Sequence, residues 1–392
     1  MFNFNININW MKYALEDYEM SLIKKLEMEA SKLSWVVSLA QGIPWYSTPE
    51  PIVEYVLEKI RNWETNRYSS AYWIPQLREQ IALKYYKDYD IELNYDKEII
   101  VTAWAIQGIS VFLQTIIRPE DEVILLDPSY ASYTGCVKTA KWNPVYVPLD
   151  ENLDIDLEKL FSNINEKTRA IIISNPNNPT WSIFDIKTLR QILEQIKWTS
   201  AYLVLDEVYD EFLFDDNNYE SVINLYKEYK SNLLIVNSWS KSFGMTWWRV
   251  GYIIWDQRLC DEIVKVHDSM ITCAPVHSQW AAIASFEIYE SRCGKARTQL
   301  QKRRDYTMER LKDLEWYINF SKPKAAYFLF PEFTYTNDDY SECLKILQEV
   351  KVALVPGSWF GNRGKWSFRL CFGRDFEDLE EWLERLRNYF WK

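Results

Sequence analysis

The stretch "NSWSKSFGMTWWRVGY" (residues 237–252) places one lysine, Lys241, among serines and directly after the apolar run "LLIVNS" (233–238). The run "VGYIIW" (250–255) follows, so the pattern predicts a strand, a loop and a second strand. A lysine at the end of a strand near Arg249 is partly desolvated, which favours its neutral, nucleophilic amine. An exposed surface lysine is the simpler interpretation, so Lys241 alone does not identify a site.

Apolar runs alternate with helical stretches from about residue 98 onward. The runs are rich in Ile, Val and Leu: "EIIVTA" (98–103), "EVILLD" (122–127), "PVYVPL" (144–149), "AIIISN" (170–175), "AYLVLDE" (201–207), "LLIVNS" and "VGYIIW". The interval "DIKTLRQILEQIK" (185–197) has apolar residues at helical spacing. This alternation predicts an α/β fold with a mainly parallel sheet flanked by helices. Such sheets bind ligands at the carboxyl ends of their strands.

The pattern changes near Ser285. A long charged helical stretch (291–315) precedes short apolar runs and a closing helix, which predicts a smaller α+β domain. We expect a large domain over residues 46–284. The small domain would combine residues 285–392 with residues 1–45, whose stretch 10–33 has a helical pattern.

Composition excludes several classes of function. The net charge of -11 and the lack of a Lys/Arg block argue against a nucleic-acid or acidic-membrane partner. Only two histidines occur, which excludes a His-rich metal site, so we expect no metal. Six scattered cysteines without a C-x-x-C pair are typical of a reduced, cytoplasmic protein. No signal-peptide pattern and no run of roughly 20 apolar residues is found, so we expect no membrane association.

Two more polar elements stand at predicted strand ends. Asp206 closes the run "AYLVLD", where a buried carboxylate is costly without a cationic partner, and Tyr209 follows it. Capping of the next helix is the alternative role for Asp206. The stretch "ISNPNNPTW" (173–181) has two Asn-Pro steps that leave the Asn178 amide free to point inward. A plain turn would also explain it.

These elements, in this order, resemble the class I and II pyridoxal-phosphate-dependent aminotransferases of fold type I, over residues 37–386. The matching stretches are "LAQGIPWYSTPEPI" (39–52), "YSSAYWIPQLR" (68–78), "VTAWAIQGI" (101–109), "DPSYASY" (127–133), "SNPNNPTW" (174–181), "LDEVY" (205–209), "SWSKSFGMTWWRVGY" (238–252) and "FRLCFG" (368–373). The resemblance implies a seven-stranded sheet and pyridoxal 5'-phosphate as cofactor. It also implies transfer of an amino group between an L-amino acid and a 2-oxo acid.

The resemblance implies roles for the polar residues. Lys241 would form a Schiff base with the cofactor and carry a proton, while Asp206 would keep the pyridine nitrogen protonated. Tyr209 and Asn178 would hydrogen-bond the phenolate oxygen. The ring would stack on one aromatic residue, Tyr130. The phosphate would be held by Ser238, Arg249 and the backbone amides of Ala105 and Ile106.

The resemblance also implies how substrates and a second subunit bind. Arg369 would grip the substrate α-carboxylate with Asn178, and Gly42 would allow close backbone approach. Tyr68 would reach the phosphate of a neighbouring subunit, so a homodimer is expected. Aspartate, aromatic and alanine or branched-chain donors all stay open, with aspartate or a broad range slightly favoured. The alternatives are a cystathionine β-lyase and a non-catalytic, cofactor-sensing or scaffold protein.

Tryptophan is abundant, at 19 of 392 residues, and glycine is scarce, at 10, where about 7% is usual. Tryptophans stand where the family pattern has glycine: Trp73, Trp104, Trp181 and Trp247, and similarly Trp142, Trp255, Trp359 and Trp366. Such glycines occupy positive φ or close approaches, and Trp104 would lie where the phosphate must rest. We hypothesise a gene whose UGA codons specify glycine. The alternative is a degenerate paralogue with true tryptophans at these positions.

Overall fold

The computed structural model describes residues 22–69, 74–116, 118 and 120–391. Trp73 and residues 10–21 of the expected N-terminal helix lie outside this part of the chain. The strands are β1 Val37–Ser38, β2 Ile99–Thr102, β3 Glu122–Asp127, β4 Asn143–Pro148, β5 Thr168–Ser174, β6 Tyr202–Asp206, β7 Leu233–Ser238, β8 Gly251–Ile254, β9 Ile318–Asn319, β10 Phe328–Leu329, β11 Glu332–Phe333, β12 Val352–Ala353, β13 Val355–Pro356 and β14 Phe368–Cys371.

Helices cover both faces of the sheet and build much of the C-terminal part. They are α1 Leu22–Ala30, α2 Glu50–Arg61, α3 Pro75–Tyr89, α4 Ala105–Ile116, α5 Ser132–Thr139, α6 Leu157–Ser162, α7 Ile186–Ile196, α8 Tyr226–Tyr229, α9 Trp239–Ser242, α10 Gln257–Ile271, α11 Val276–Ser285, α12 Tyr289–Leu311, α13 Asp339–Val350 and α14 Phe376–Phe390. Among the residues described, none of these helices combines the length and the apolar character that a bilayer crossing needs.

A seven-stranded sheet has the order β2-β8-β7-β6-β5-β3-β4. All of its neighbouring strands run parallel except β8, which is antiparallel to both β2 and β7. The central strands β6 and β7 are almost wholly buried, as expected when helices cover both faces. The predicted mainly parallel, seven-stranded α/β fold is confirmed.

Helix α7 shows how the sequence builds the covering layer. The Asp185 side chain accepts a hydrogen bond from the Thr188 backbone N–H at 2.7 Å, which caps the first turn. The helix then buries apolar side chains at three- and four-residue spacing, from Leu189 to Ile196, against the sheet. The helix therefore begins and packs as its sequence pattern predicts.

Buried apolar side chains form two main clusters. The larger extends from Ile52 to Cys293 and surrounds the seven-stranded sheet. The second joins Val37 and Leu39 to residues of the C-terminal part as far as Phe390. Strand β1 pairs with β12 in parallel, so the N-terminal segment packs on the C-terminal part. The division at residues 46–284 stays a prediction, because the second cluster also includes Tyr209, Phe212 and Phe214 from within that range.

Candidate active site

A cavity of about 570 Å³ lies between the two apolar clusters, at the carboxyl ends of strands β5, β6 and β7. It brings together most of the site residues expected from the sequence. These are Gly42, Ala105, Ile106, Tyr130, Asn178, Asp206, Tyr209, Ser238, Lys241, Arg249 and Arg369. Tyr68 is not among them, since its side chain is 82% exposed and lies outside the cavity wall.

Lys241 lies in α9, the short helix that begins where β7 ends. The Ser238 side chain starts this helix by accepting a hydrogen bond from the Ser240 backbone N–H at 3.2 Å. The Lys241 Nζ donates to the Gly42 carbonyl oxygen at 2.7 Å. Burial lowers the pKa of Lys241 to about 8, and the positive charges of Arg369 and Arg249 act in the same direction. The amine is thus held at the cavity wall with an increased neutral fraction.

Asp206 is the last residue of β6 and is buried. Its carboxylate accepts hydrogen bonds from the Tyr133 hydroxyl at 2.8 Å and from the Val208 backbone N–H at 3.3 Å. Burial raises the pKa of Asp206 to about 6, although both hydrogen bonds and the charge of Lys241 oppose the shift. Within the described part of the chain, Asp206 forms no ion pair at salt-bridge distance. The carboxylate can therefore accept a cationic group from a bound molecule.

Arg369 projects from β14 into the cavity and is buried. Its Nη1 donates to the Asn178 Oδ1 at 3.0 Å, and its Nη2 donates to the Ala40 carbonyl oxygen at 2.5 Å. The guanidinium lies near the rings of Phe328 and Phe360, at 4.4 and 5.0 Å from their centroids. Its Nε is buried and has no hydrogen-bond partner among the described residues. That donor is available to a carboxylate.

Several hydrogen-bond donors converge at the other end of the cavity. Helix α4 begins at Ala105, so the first backbone N–H groups of the helix face this end. Ser238 and Ser240 lie nearby, with their Oγ atoms 3.0 Å apart. The Arg249 side chain adds a positive charge. Close packing of β8 on the start of α4 needs Gly251, because a Cβ there would lie 2.9 Å from the Ala105 N. These groups are suited to bind an anion, and we call the part of the cavity lined by Ala105, Ile106, Ser238, Ser240 and Arg249 the anion end.

Aromatic side chains form the remaining walls. Tyr209 is buried and packs edge-to-face against Tyr327, and its ring centroid lies 6.0 Å from the Lys241 Nζ. Burial raises the pKa of the Tyr209 hydroxyl, so it is present as the neutral donor. Tyr130 lines the cavity and meets Tyr133 edge-to-face, with centroids 5.5 Å apart. A flat ring bound between these residues would contact aromatic surface.

The sequence did not single out two residues that support the site. Tyr133 hydrogen-bonds Asp206, and the only signal for it was its place in the quoted stretch "DPSYASY". The Tyr46 hydroxyl donates to the Lys241 carbonyl oxygen at 2.6 Å and so holds the short helix α9 that carries the lysine. Both contacts join segments far apart in the chain.

Pyridoxal phosphate fits this arrangement in three respects. The buried Asp206 carboxylate lacks a cation that a protonated ring nitrogen would supply. The Lys241 amine and the donors around Arg249 are placed for an aldehyde and a phosphate on the same ring. One residue does not fit the cofactor. The Trp104 indole lines the anion end, with its ring centroid 4.2 Å from the Arg249 Cζ.

Comparisons with known proteins identify the family of the chain. The family model "Aminotransferase class I and II" matches residues 34–386. An aspartate aminotransferase of Pyrococcus abyssi is 33% identical over 94% of this chain and 95% of its own length. An aromatic-amino-acid aminotransferase of Thermococcus litoralis is 31% identical, covering 95% of this chain and 96% of that protein. The structure of a Thermotoga maritima aspartate aminotransferase superposes with a TM-score of 0.89 at 28% identity, covering 97% and 100% of the chains.

Proposed function

The chain belongs to the aminotransferase class I and II family and is a pyridoxal-phosphate-dependent transaminase, and we propose that the cavity around Lys241 is its active site. Its substrates are amino acids and 2-oxo acids. The observation that carries the assignment of the site is the joint placement of Lys241, Asp206 and Arg369 in one cavity. A nucleophilic amine, an ion-pairing carboxylate and a carboxylate-binding guanidinium are the groups that this reaction requires.

Bound pyridoxal phosphate supplies an aldehyde that accepts the amino group and a ring that stabilises negative charge on the substrate Cα. With a pKa of about 8, roughly a tenth of Lys241 is neutral at pH 7, so its Nζ can act as a nucleophile and as a proton carrier. With a pKa of about 6, Asp206 is mostly ionised at that pH and can pair with the protonated ring nitrogen. Tyr133 holds this carboxylate in place through its hydroxyl.

Substrate orientation depends on Arg369. We assign the α-carboxylate to its Nε and the adjacent Nη, with Asn178 fixing the plane of the guanidinium. The Gly42 backbone lies close to this position, because Arg369 Nη2 donates to the carbonyl oxygen of Ala40, two residues before Gly42. A substrate held in this way presents its Cα toward the lysine. The amine can then move a proton at that carbon without help from solvent.

The remaining residues position the ring and its phosphate. We assign the phosphate to Ser238, Arg249 and the backbone N–H groups of Ala105 and Ile106, all of which line the anion end. Tyr209 and Asn178 would donate to the ring oxygen, since Tyr209 lies near Lys241 and Asn178 contacts Arg369. Tyr130 would cover one ring face.

L-Aspartate is the amino donor that we propose to test first, with aromatic amino acids second. The relatives reported above bear both names. Among the described residues that line the cavity, the arginines are Arg249 and Arg369, so no further arginine is assigned to a side-chain carboxylate. This leaves a broad-range donor specificity open. The aminotransferase names of the relatives favour transamination over β-elimination.

We also propose a homodimer in which Tyr68 completes the partner's phosphate site. Tyr68 is 82% exposed although it is a large aromatic side chain. Two other exposed apolar residues, Leu57 and Ile60, belong to the same stretch of chain. The proposed domain division at residues 46–284 is supported by most, though not all, members of the two apolar clusters. A cytoplasmic location rests on the six scattered cysteines.

The experiment that tests the proposed function uses purified protein supplied with pyridoxal phosphate. L-Aspartate, aromatic or branched-chain amino acids are mixed with 2-oxoglutarate or pyruvate, and the new amino acid is measured by chromatography. We expect amino transfer that requires the 2-oxo acid. Release of ammonia and pyruvate without an acceptor would instead support the β-lyase alternative.

A further inference from the structure

The backbone is left-handed at four tryptophans. The angle φ is 61° at Trp35, 63° at Trp63, 57° at Trp181 and 70° at Trp366. Tryptophan thus supplies four of the thirteen non-glycine residues with positive φ in the described chain, although it makes up 19 of 392 residues overall. A Cβ is penalised in this region and a bulky side chain is a true outlier, whereas glycine adopts it freely. The backbone at these positions therefore has the geometry of glycine.

Three of these four side chains gain little burial that would offset the strain. Trp35 is 87% exposed, Trp63 is 73% exposed and Trp366 is 54% exposed. An indole in water buries little apolar surface and so contributes little to stability. Trp181 is buried, but it stands at the end of the "SNPNNPTW" loop, where the family pattern has glycine. Neither Trp35 nor Trp63 was singled out from the sequence, so the backbone adds two positions to the hypothesis.

The tryptophans differ in whether the indole N–H has a hydrogen-bond acceptor. The Trp248 Nε1 donates to the Thr48 Oγ1 at 2.8 Å, and Trp248 is the position at which the family pattern itself has tryptophan. Five others bury Nε1 without a hydrogen-bond partner among the described residues: Trp142, Trp239, Trp255, Trp280 and Trp382. A buried indole N–H ordinarily finds an acceptor. Two of these five, Trp142 and Trp255, are positions where we expected glycine.

Trp104 is a further position where the family pattern has glycine, and it lies in the proposed active site. Its ring lies 4.2 Å from the Arg249 guanidinium, next to the first turn of α4, and lines the cavity. An indole here takes up space beside the donors assigned to the phosphate. Glycine at residue 104 would open the approach to the backbone N–H groups of Ala105 and Ile106.

We infer that residues 35, 63, 181 and 366 are glycine in the protein as its own cell makes it, read from UGA codons, and that residue 104 is glycine as well. The first four positions rest on backbone geometry and side-chain exposure, together with the family pattern at residues 181 and 366, and do not depend on the proposed function. The fifth rests also on the proposed function, because it depends on where the phosphate binds. The anion end of the active site is then a glycine-lined cradle, and the indole at residue 104 is absent from it.

The decisive experiment is mass spectrometry of peptides from the protein purified from its own organism. We expect glycine at residues 35, 63, 181 and 366 and tryptophan at residue 248, the internal control. Tryptophan at any of the first four positions in the native protein would overturn the inference. The readout is a peptide mass, so it does not depend on whether the protein proves to be an aminotransferase.

A second measurement tests residue 104 separately, on the recombinant chain. We expect Trp104→Gly to tighten binding of pyridoxal phosphate, and also of inorganic phosphate, by roughly tenfold or more when followed by fluorescence titration. Trp198→Gly is the matched control, because Trp198 is 90% exposed and does not line the cavity. Equal affinities for the two variants would overturn the assignment of residue 104.

Discussion

The Arg369 guanidinium donates from Nη1 to the Asn178 Oδ1 at 3.0 Å, which joins strand β14 to the loop after β5. This contact links the C-terminal part of the chain to the sheet that carries Lys241. It also fixes the orientation of the guanidinium that we assign to the substrate α-carboxylate.

Arg369→Lys should weaken substrate binding, because a lysine cannot reproduce the two-pronged contact. Loss of one charged hydrogen bond of about 1.5–3 kcal/mol predicts a rise in KM for the amino acid of roughly 10- to 100-fold. Arg310→Lys is the control, since Arg310 pairs with Glu384 away from the cavity. Steady-state kinetics measure the effect. An unchanged KM in Arg369→Lys would contradict the assignment.

Combination of the cofactor-free protein with pyridoxal phosphate should depend on pH in two steps. The neutral form of Lys241 is required, so the rate should rise about tenfold per pH unit and level off above about 8. Below about 6, protonation of Asp206 removes the charge that pairs with the ring nitrogen, and the rate should fall more steeply. Stopped-flow absorbance measures the rate across both pH ranges.

Asp206→Asn should abolish the additional fall in rate below about pH 6 and should reduce turnover by roughly 100-fold or more. If the steeper fall below about pH 6 persists in Asp206→Asn, Asp206 does not have the proposed role.

Tyr68 should act across the dimer interface. Tyr68→Ala and Lys241→Ala should each be strongly impaired alone. A mixed dimer contains one site with both native residues, so reassociation after mixing should restore about a quarter of the wild-type activity. Turnover after mild dissociation and reassociation of the two variants measures this. If the mixture is no more active than its separate components, Tyr68 does not serve the partner's site.

Trp35→Gly should stabilise the protein, because it removes a Cβ from a left-handed backbone and exposes no buried surface. We expect a gain of about 1 kcal/mol in the free energy of unfolding, with a higher Tm. Trp198→Gly, at an exposed residue without positive φ, should not stabilise. Thermal denaturation of both variants without cofactor provides the comparison. If Trp35→Gly is no more stable than Trp198→Gly, the backbone at residue 35 is not strained by its side chain.

The sequence predicted the strands and the residues at their ends, because buried parallel strands have a strong apolar pattern and their carboxyl ends meet at one edge. Lys241, Asp206 and Asn178 were proposed as site residues in this way. It did not predict that Tyr133 would bond Asp206, or that the Gly42 carbonyl would receive the Lys241 amine. Those contacts join segments distant in the chain, and only tertiary packing brings them together.

Backbone conformation was also only partly predictable. The family pattern pointed to Trp181 and Trp366, and both have positive φ. It did not point to Trp35 and Trp63, which follow helices α1 and α2 in loops without a motif. The left-handed angle at Trp63 ends helix α2, and that at Trp35 belongs to the loop after α1; local sequence specifies both weakly once the glycine signal is missing.

The central claim is that the Lys241 amine binds the cofactor aldehyde beside Asp206. The most direct test loads the chain carrying Trp104→Gly with pyridoxal phosphate, removes the excess, and records the absorbance spectrum. We predict a retained band near the edge of the visible range together with amino transfer, and loss of both when Lys241→Ala is added. Retention of the band and of turnover in the variant without Lys241 would contradict the account.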